Sequence, residues 1–233
     1  MKILALDSSG LVAGVAVTED DNLLGEYTIN YKKTHSQTLL PMIDEIFSMV
    51  QLKPDDVDVI AVSKGPGSFT GLRIGAATGK GIALALDKKM VAVPTLAAMA
   101  YNLYGDSRYI CPVMDARRKH LYSGIYTFDG DRLITVRDVN LESYDELAEE
   151  LVGLDGQVVL VGDGVDVAGE VLKEQLGDKC VLAPAHIKTQ RAGSVALLAK
   201  QMADNGEYTD ADELKPDYLR PSQAEREKAQ HES

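Results

Sequence analysis

Asp7-Ser8-Ser9 follows a short apolar run and precedes a second one, so an acidic side chain and two hydroxyls stand at a strand-to-strand turn. Such a turn can hold a carboxylate beside a metal-bound phosphate while hydroxyls and backbone N–H groups approach its oxygens. The same residue types also satisfy an ordinary hairpin. Gly65-Pro66-Gly67-Ser68-Phe69-Thr70-Gly71 opens a helical segment, whose free N–H groups and dipole can attract an anion. It is not a P-loop, because Gly71 is followed by Leu72-Arg73 and Gly79-Lys80 by Gly81. Ser68 does not stand in a nucleophile elbow, and none of the four histidines can be assigned to it as a base. His35, His120, His186 and His231 are scattered, with no His-x-x-x-His or Cys-x-x-Cys pair, so there is no local metal-ligand set. Asp115-Ala116-Arg117-Arg118 follows a strand and can meet a phosphate through arginine, or stand as a solvated turn.

A different signal lies in the segment 71–87. Gly71, Gly75, Gly79 and Ala83 recur every four residues, although glycine costs a helix about 1 kcal/mol relative to alanine. A stripe without side chains lets another backbone come close. The neighbour can be the chain's own sheet or a helix of another subunit, and spacing alone leaves both open.

These residues need elements to position them. Residues 2–7, 12–17 and 23–29 read as three strands of a meander, broken by the turn formers Asp20-Asp21-Asn22. Leu39, Leu40, Ile43, Ile46, Phe47 and Val50 recur at helical spacing and define a helix over 35–50. A strand at 57–62, the helix 71–87, a strand at 91–93 and a helix from Thr95 complete the set. The pattern then restarts: strands at 109–114, 121–128 and 133–136, a helix at 143–152, a strand at 158–161 and helices near 166–175 and 191–203. This order predicts an α/β protein with two similar lobes of mixed sheet, the second shortened. The N-terminal lobe is expected over 1–104, the C-terminal lobe over 105–221, and a charged, aperiodic, disordered tail over 222–233.

With 233 residues, 45% of them apolar, the chain can bury a proper core. Its net charge of −12 disfavours a stand-alone nucleic-acid or anionic-membrane binder. The apolar run at Ile3–Leu6 is too short for the ~7–15-residue core of a signal peptide, and no run approaches the ~20 residues of a membrane span. Cys111 and Cys180 read as buried thiols, which points to the cytosol.

Several strings together resemble one family. They are Leu4-Ala5-Leu6-Asp7-Ser8-Ser9, His35-Ser36-Gln37 with Leu39-Leu40-Pro41, Gly65 to Gly75, Asp115-Ala116-Arg117-Arg118, and Tyr218-Leu219-Arg220. In order and spacing they are similar to the TsaB (YeaZ) family. The resemblance implies an ASKHA fold, that of actin, Hsp70 and sugar kinases. It implies a part in making threonylcarbamoyladenosine in tRNA, beside the catalytic relative TsaD, the ATPase TsaE, and TsaC, which supplies threonylcarbamoyl-adenylate. In the catalytic relatives a His-x-x-x-His pair holds a metal after the short strand that follows the second helix. Here those positions fall on Leu96 and Ala100, and the glycine-rich phosphate turn corresponds to Asp115-Ala116-Arg117-Arg118.

The resemblance therefore implies a non-catalytic dimerisation subunit, with no catalytic or metal-binding residues and no cofactor needed by the isolated chain. ATP or ADP with Mg²⁺ would sit at the complex interface, with Asp7, Ser8 and Ser9 as its contacts in this chain. It implies pairing with TsaD, or with a second copy when alone, through the first two helices. Leu39, Ile43, Phe47, Gly71, Gly75, Gly79 and Ala83 would be the contact residues, with tRNA reached only through the complex, in the cytoplasm and away from any membrane. The alternative is an active enzyme on this fold, either nucleotide-dependent or a metallopeptidase.

Overall fold

The computed structural model describes residues 1–31 and 34–219. The expected tail at 222–233 lies outside them, as does Arg220. The first sheet is built from β1 (Lys2–Asp7), β2 (Ala13–Glu19), β3 (Asn22–Ile29), β4 (Val59–Gly65) and β5 (Lys89–Pro94), in the order β3-β2-β1-β4-β5. β1 is central, antiparallel to β2 and parallel to β4. Such a strand is covered on both faces, which is why its sequence is continuously apolar. Leu4 and Leu6 enter one hydrophobic cluster, under helices α1 (His35–Val50) and α2 (Phe69–Leu86), while Ile3 and Ala5 enter another on the opposite face. α1 buries Leu39, Met42, Ile43, Ile46 and Phe47 in the first cluster. Leu40, counted in the same periodic set, points outward.

The second lobe repeats the plan. After α3 (Thr95–Ala100) come β6 (Tyr109–Asp115), β7 (His120–Asp129), β8 (Arg132–Ser143), α4 (Tyr144–Val152), β9 (Val158–Val161), α5 (Val165–Leu176) and β10 (Cys180–Leu182). The sheet order is β10-β9-β6-β7-β8, with β7 antiparallel and β9 parallel to β6. This is the first sheet's arrangement over again, as the element order predicts. Neither β10 nor the short α6 (Ala185–Lys188) is expected from the sequence, each being too brief to show a period. β8 also runs to Ser143 rather than stopping near Val136, because β7 pairs along it through two irregular registers.

The lobe boundary needs correction. Helix α7 (Ala192–Asp204), expected to belong to the second lobe, buries Ala192, Val195, Ala196, Ala199 and Ala203 against Ile3, Ala5 and Ala16 of the first sheet. Its small side chains let it lie close: a β-carbon on Gly14 would come within 3.2 Å of Ala192 Cβ. Beyond α7, Thr209 bridges to Met90, Leu214 is buried in the α1–α2 cluster, and Asp217 N–H donates to Lys64 O at 2.7 Å. Residues 192–219 thus complete the N-terminal lobe, not the span 105–221. In exchange, α3 sends Leu96, Met99 and Ala100 into the cluster of Ile110, Met114 and Tyr126 under the second sheet.

Candidate functional site

The β1–β2 turn and the glycine loop before α2 form one buried polar assembly. Asp7 is 2% exposed. Its Oδ1 accepts from Ser9 N–H (2.8 Å) and Ser9 Oγ (2.6 Å), and its Oδ2 from Ser63 Oγ (2.7 Å) at the end of β4. Burial pushes its carboxyl above the ordinary carboxylate range, against the hydrogen bonds from Ser9 and Ser63 and the nearby His35 that favour the charge. Ser8 Oγ donates to Gly71 O at 2.8 Å, and Ser9 O accepts from Ser68 N–H at 2.6 Å. Ser68 caps α2, with its hydroxyl accepting from Gly71 N–H at 3.3 Å. A first-turn donor thought open to an anion is therefore taken by the chain itself.

These bonds also bear on Mg²⁺–nucleotide binding at Asp7-Ser8-Ser9. Both oxygens of Asp7 face the chain's own hydroxyls, and Ser8 and Ser9 hold the neighbouring loop. The hydroxyl hydrogens of Ser8 and Ser9 are thus spent within the chain, and as arranged here the turn offers neither of them to a metal-bound phosphate. The sequence offers Ser68 only as a nucleophile without a base and gives no sign of Ser63, because only the fold brings the two to the turn.

The small-residue stripe lies against the chain's own sheet. A β-carbon on Gly71 would stand 2.0 Å from Ser8 O, one on Gly75 2.5 Å from Ser8 Oγ, and one on Gly79 2.4 Å from Val62 Cγ2. Ala83 is buried in the same cluster, with Leu39, Ile43 and Phe47 from α1. This corrects the expected contact residues: all seven are turned inward and buried within this chain. Away from the stripe Leu84 (62%) is exposed on α2, and Leu40 (58%) and Met49 (65%) are exposed on opposite flanks of α1. Pro41, Ala77, Gly81 and Ala85 are exposed too, and a β-carbon on Gly81 would meet nothing within 4 Å.

Leu96 and Ala100 are wholly buried among apolar neighbours. Among the described residues no group of three His, Cys, Asp or Glu side chains is placed to hold a metal, and no helix is long and apolar enough to cross a membrane. His35, on α1, is engaged through Nε2 with Gly10 O at 2.9 Å and serves no serine as a base.

Three contacts had no clear sequence signal. Gln190, 1% exposed, packs its amide against Gly10, where a β-carbon would come within 2.4 Å of Nε2. Asp163, after β9, is driven up to about 6, chiefly by burial and also by the charge of Asp115. Arg73 stacks on Phe69 at 3.9 Å and donates to Tyr218 Oη at 3.0 Å, fastening residues 217–219 to the start of α2.

The comparisons agree with this architecture. The family of tRNA N6-adenosine threonylcarbamoyltransferase, TsaD, matches residues 22–228. The Bacillus subtilis (strain 168) protein named tRNA threonylcarbamoyladenosine biosynthesis protein TsaB is 32% identical over 97% of this chain and 96% of its own length. The structure of YeaZ from Pseudomonas aeruginosa superposes with a TM-score of 0.81 at 27% identity, covering 94% of this chain and 99% of that one. A ROK hexokinase from Thermus thermophilus, at 13% identity and a TM-score of 0.50, covers 88% of this chain and all of its own, a likeness of fold alone that places the two lobes among the sugar-kinase architectures. The chain belongs to the TsaB/YeaZ family.

Proposed function

We propose that this protein is a scaffold subunit, without chemistry of its own, of the assembly that makes threonylcarbamoyladenosine in tRNA. Its partner is a catalytic relative of the TsaD kind, met through the outer side of α1 and α2. The observation that carries the reading is the state of Asp7: the acid best placed for phosphate or metal chemistry spends both oxygens on Ser9 and Ser63. The two helices, by contrast, expose Leu40, Met49 and Leu84. Apolar side chains exposed beside small ones suit a close helix contact. ATP hydrolysis and threonylcarbamoyl transfer fall to the other subunits, and the assembly works in the cytoplasm.

The test is reconstitution. tRNA modification by TsaC, TsaD and TsaE should fall sharply when this chain is omitted; undiminished modification would refute the scaffold role. Pairing is read by the mass of the mixture with TsaD, expected at one to one and weakened by Leu84→Arg. Tight binding of ATP and Mg²⁺ by the isolated chain, lost in Asp7→Asn, would instead support an enzyme.

A further inference from the structure

The turn between β6 and β7 carries Arg117-Arg118-Lys119-His120, four consecutive basic residues on a chain of net charge −12. Its backbone is unusual. Arg117, Arg118 and Lys119 have φ of 67°, 56° and 58°, all left-handed. Side chains with a β-carbon crowd the following carbonyl there, so each costs free energy that glycine would not. Local bonds hold the conformation. Asp115 Oδ1 accepts from Arg117 N–H at 2.8 Å, Ala116 N–H donates to His120 O at 3.0 Å, and His120 Nδ1 meets Arg118 O at 2.8 Å. The Arg117 guanidinium, 80% exposed, pairs with Asp115 at 3.1 Å. Arg118 and Lys119 are exposed, and among the described residues neither forms an ion pair. A turn that needs left-handed backbone would relax with glycines, yet this one is built from long cations.

We propose that this turn is a phosphate-backbone contact for RNA, made when the chain sits in its assembly. The inference rests on the scaffold reading. An exposed turn with its cations in open solvent lacks the enclosing walls that a single nucleotide requires. It suits a polyanion whose charges repeat along a strand. Among polyanions RNA is favoured, because the matched family is named for a transfer onto tRNA adenosine. The chain's overall negative charge keeps the contact too weak to act alone at physiological salt, though not at low salt. It adds to binding only when a partner carries the rest of the RNA, which fits an accessory subunit.

The experiment measures tRNA affinity of the chain–TsaD complex against salt, for the native chain and for an Arg118→Ala, Lys119→Ala double variant. Each lost phosphate contact lowers the slope of log K against log salt by about 0.9, so the slope should fall by about 1 to 2 and affinity several-fold at ~0.1 M salt. The mass of the complex and the thermal unfolding of the chain should not change. An unchanged slope with the complex intact overturns the proposal. Loss of the complex with the slope intact also overturns it, and assigns the turn to an acidic protein surface. If the native chain forms no complex, the scaffold reading fails separately. The turn is then tested on the isolated chain at low salt by photo-crosslinking to tRNA: crosslinks at 117–120 sustain the proposal, and their absence ends it.

Discussion

Ser8 Oγ stands 2.5 Å from the point that a β-carbon on Gly75 would occupy, while donating a hydrogen bond to Gly71 O one turn earlier. The first turn of α2 is thereby locked to the β1–β2 turn, and the absence of side chains at Gly71 and Gly75 makes the approach possible.

Glycine substitutions along α2 should therefore differ in sign. Gly71→Ala places a methyl 2.0 Å from a backbone oxygen that cannot move cheaply, and should cost about 3 kcal/mol, the upper end of the usual overpacking range. Gly81→Ala meets open space and should gain about 0.5–1 kcal/mol by favouring the helix. Urea unfolding of the isolated chain checks both, and equal effects would contradict the inward stripe.

Asp163 should make stability fall as pH rises. Its folded carboxyl titrates at about 6 against an ordinary 3.8, so the folded state holds the proton more tightly. The stability this confers is present in acid and is lost as pH climbs through the window from about 4 to about 6, by at most about 3 kcal/mol. Asp163→Asn should flatten that part of the profile. Parallel curves for the two proteins over pH 4–8 would count against this.

Glu26 ties the two halves of the chain. Its carboxylate, in β3, accepts from the Arg191 guanidinium and from Gly193 N–H at 3.0 Å at the start of α7. Glu26→Ala removes a helix-terminus anchor and leaves the arginine without its partner, at a cost of about 2–4 kcal/mol. Hydrogen exchange should show α7 amides losing protection before those of β1.

Cys111 is fully buried in the second lobe, and burial pushes its thiol far up. At pH 8 it should resist alkylation in the native protein and react at the rate of unfolding. Rapid labelling of the folded chain would show the second lobe opening independently.

The sequence by itself determined most of the elements and the need for a close neighbour along α2. The continuous apolar run of β1, the helical spacing of α1 and the four-residue recurrence of Gly71, Gly75 and Gly79 each record burial, and burial is written in composition and period. Tertiary structure alone decided what lies on the other side. Periodicity cannot name the surface that covers an apolar face, so it places α7 on the wrong sheet and leaves open whether the glycine stripe meets the chain's own sheet or a partner. Nor could it show Ser63 and Ser68 closing on the Asp7-Ser8-Ser9 turn: hydrogen bonds across 56 or more residues leave no local pattern. Those bonds and its burial set the state of Asp7, which accepts from Ser9 on one oxygen and from Ser63 on the other at 2% exposure.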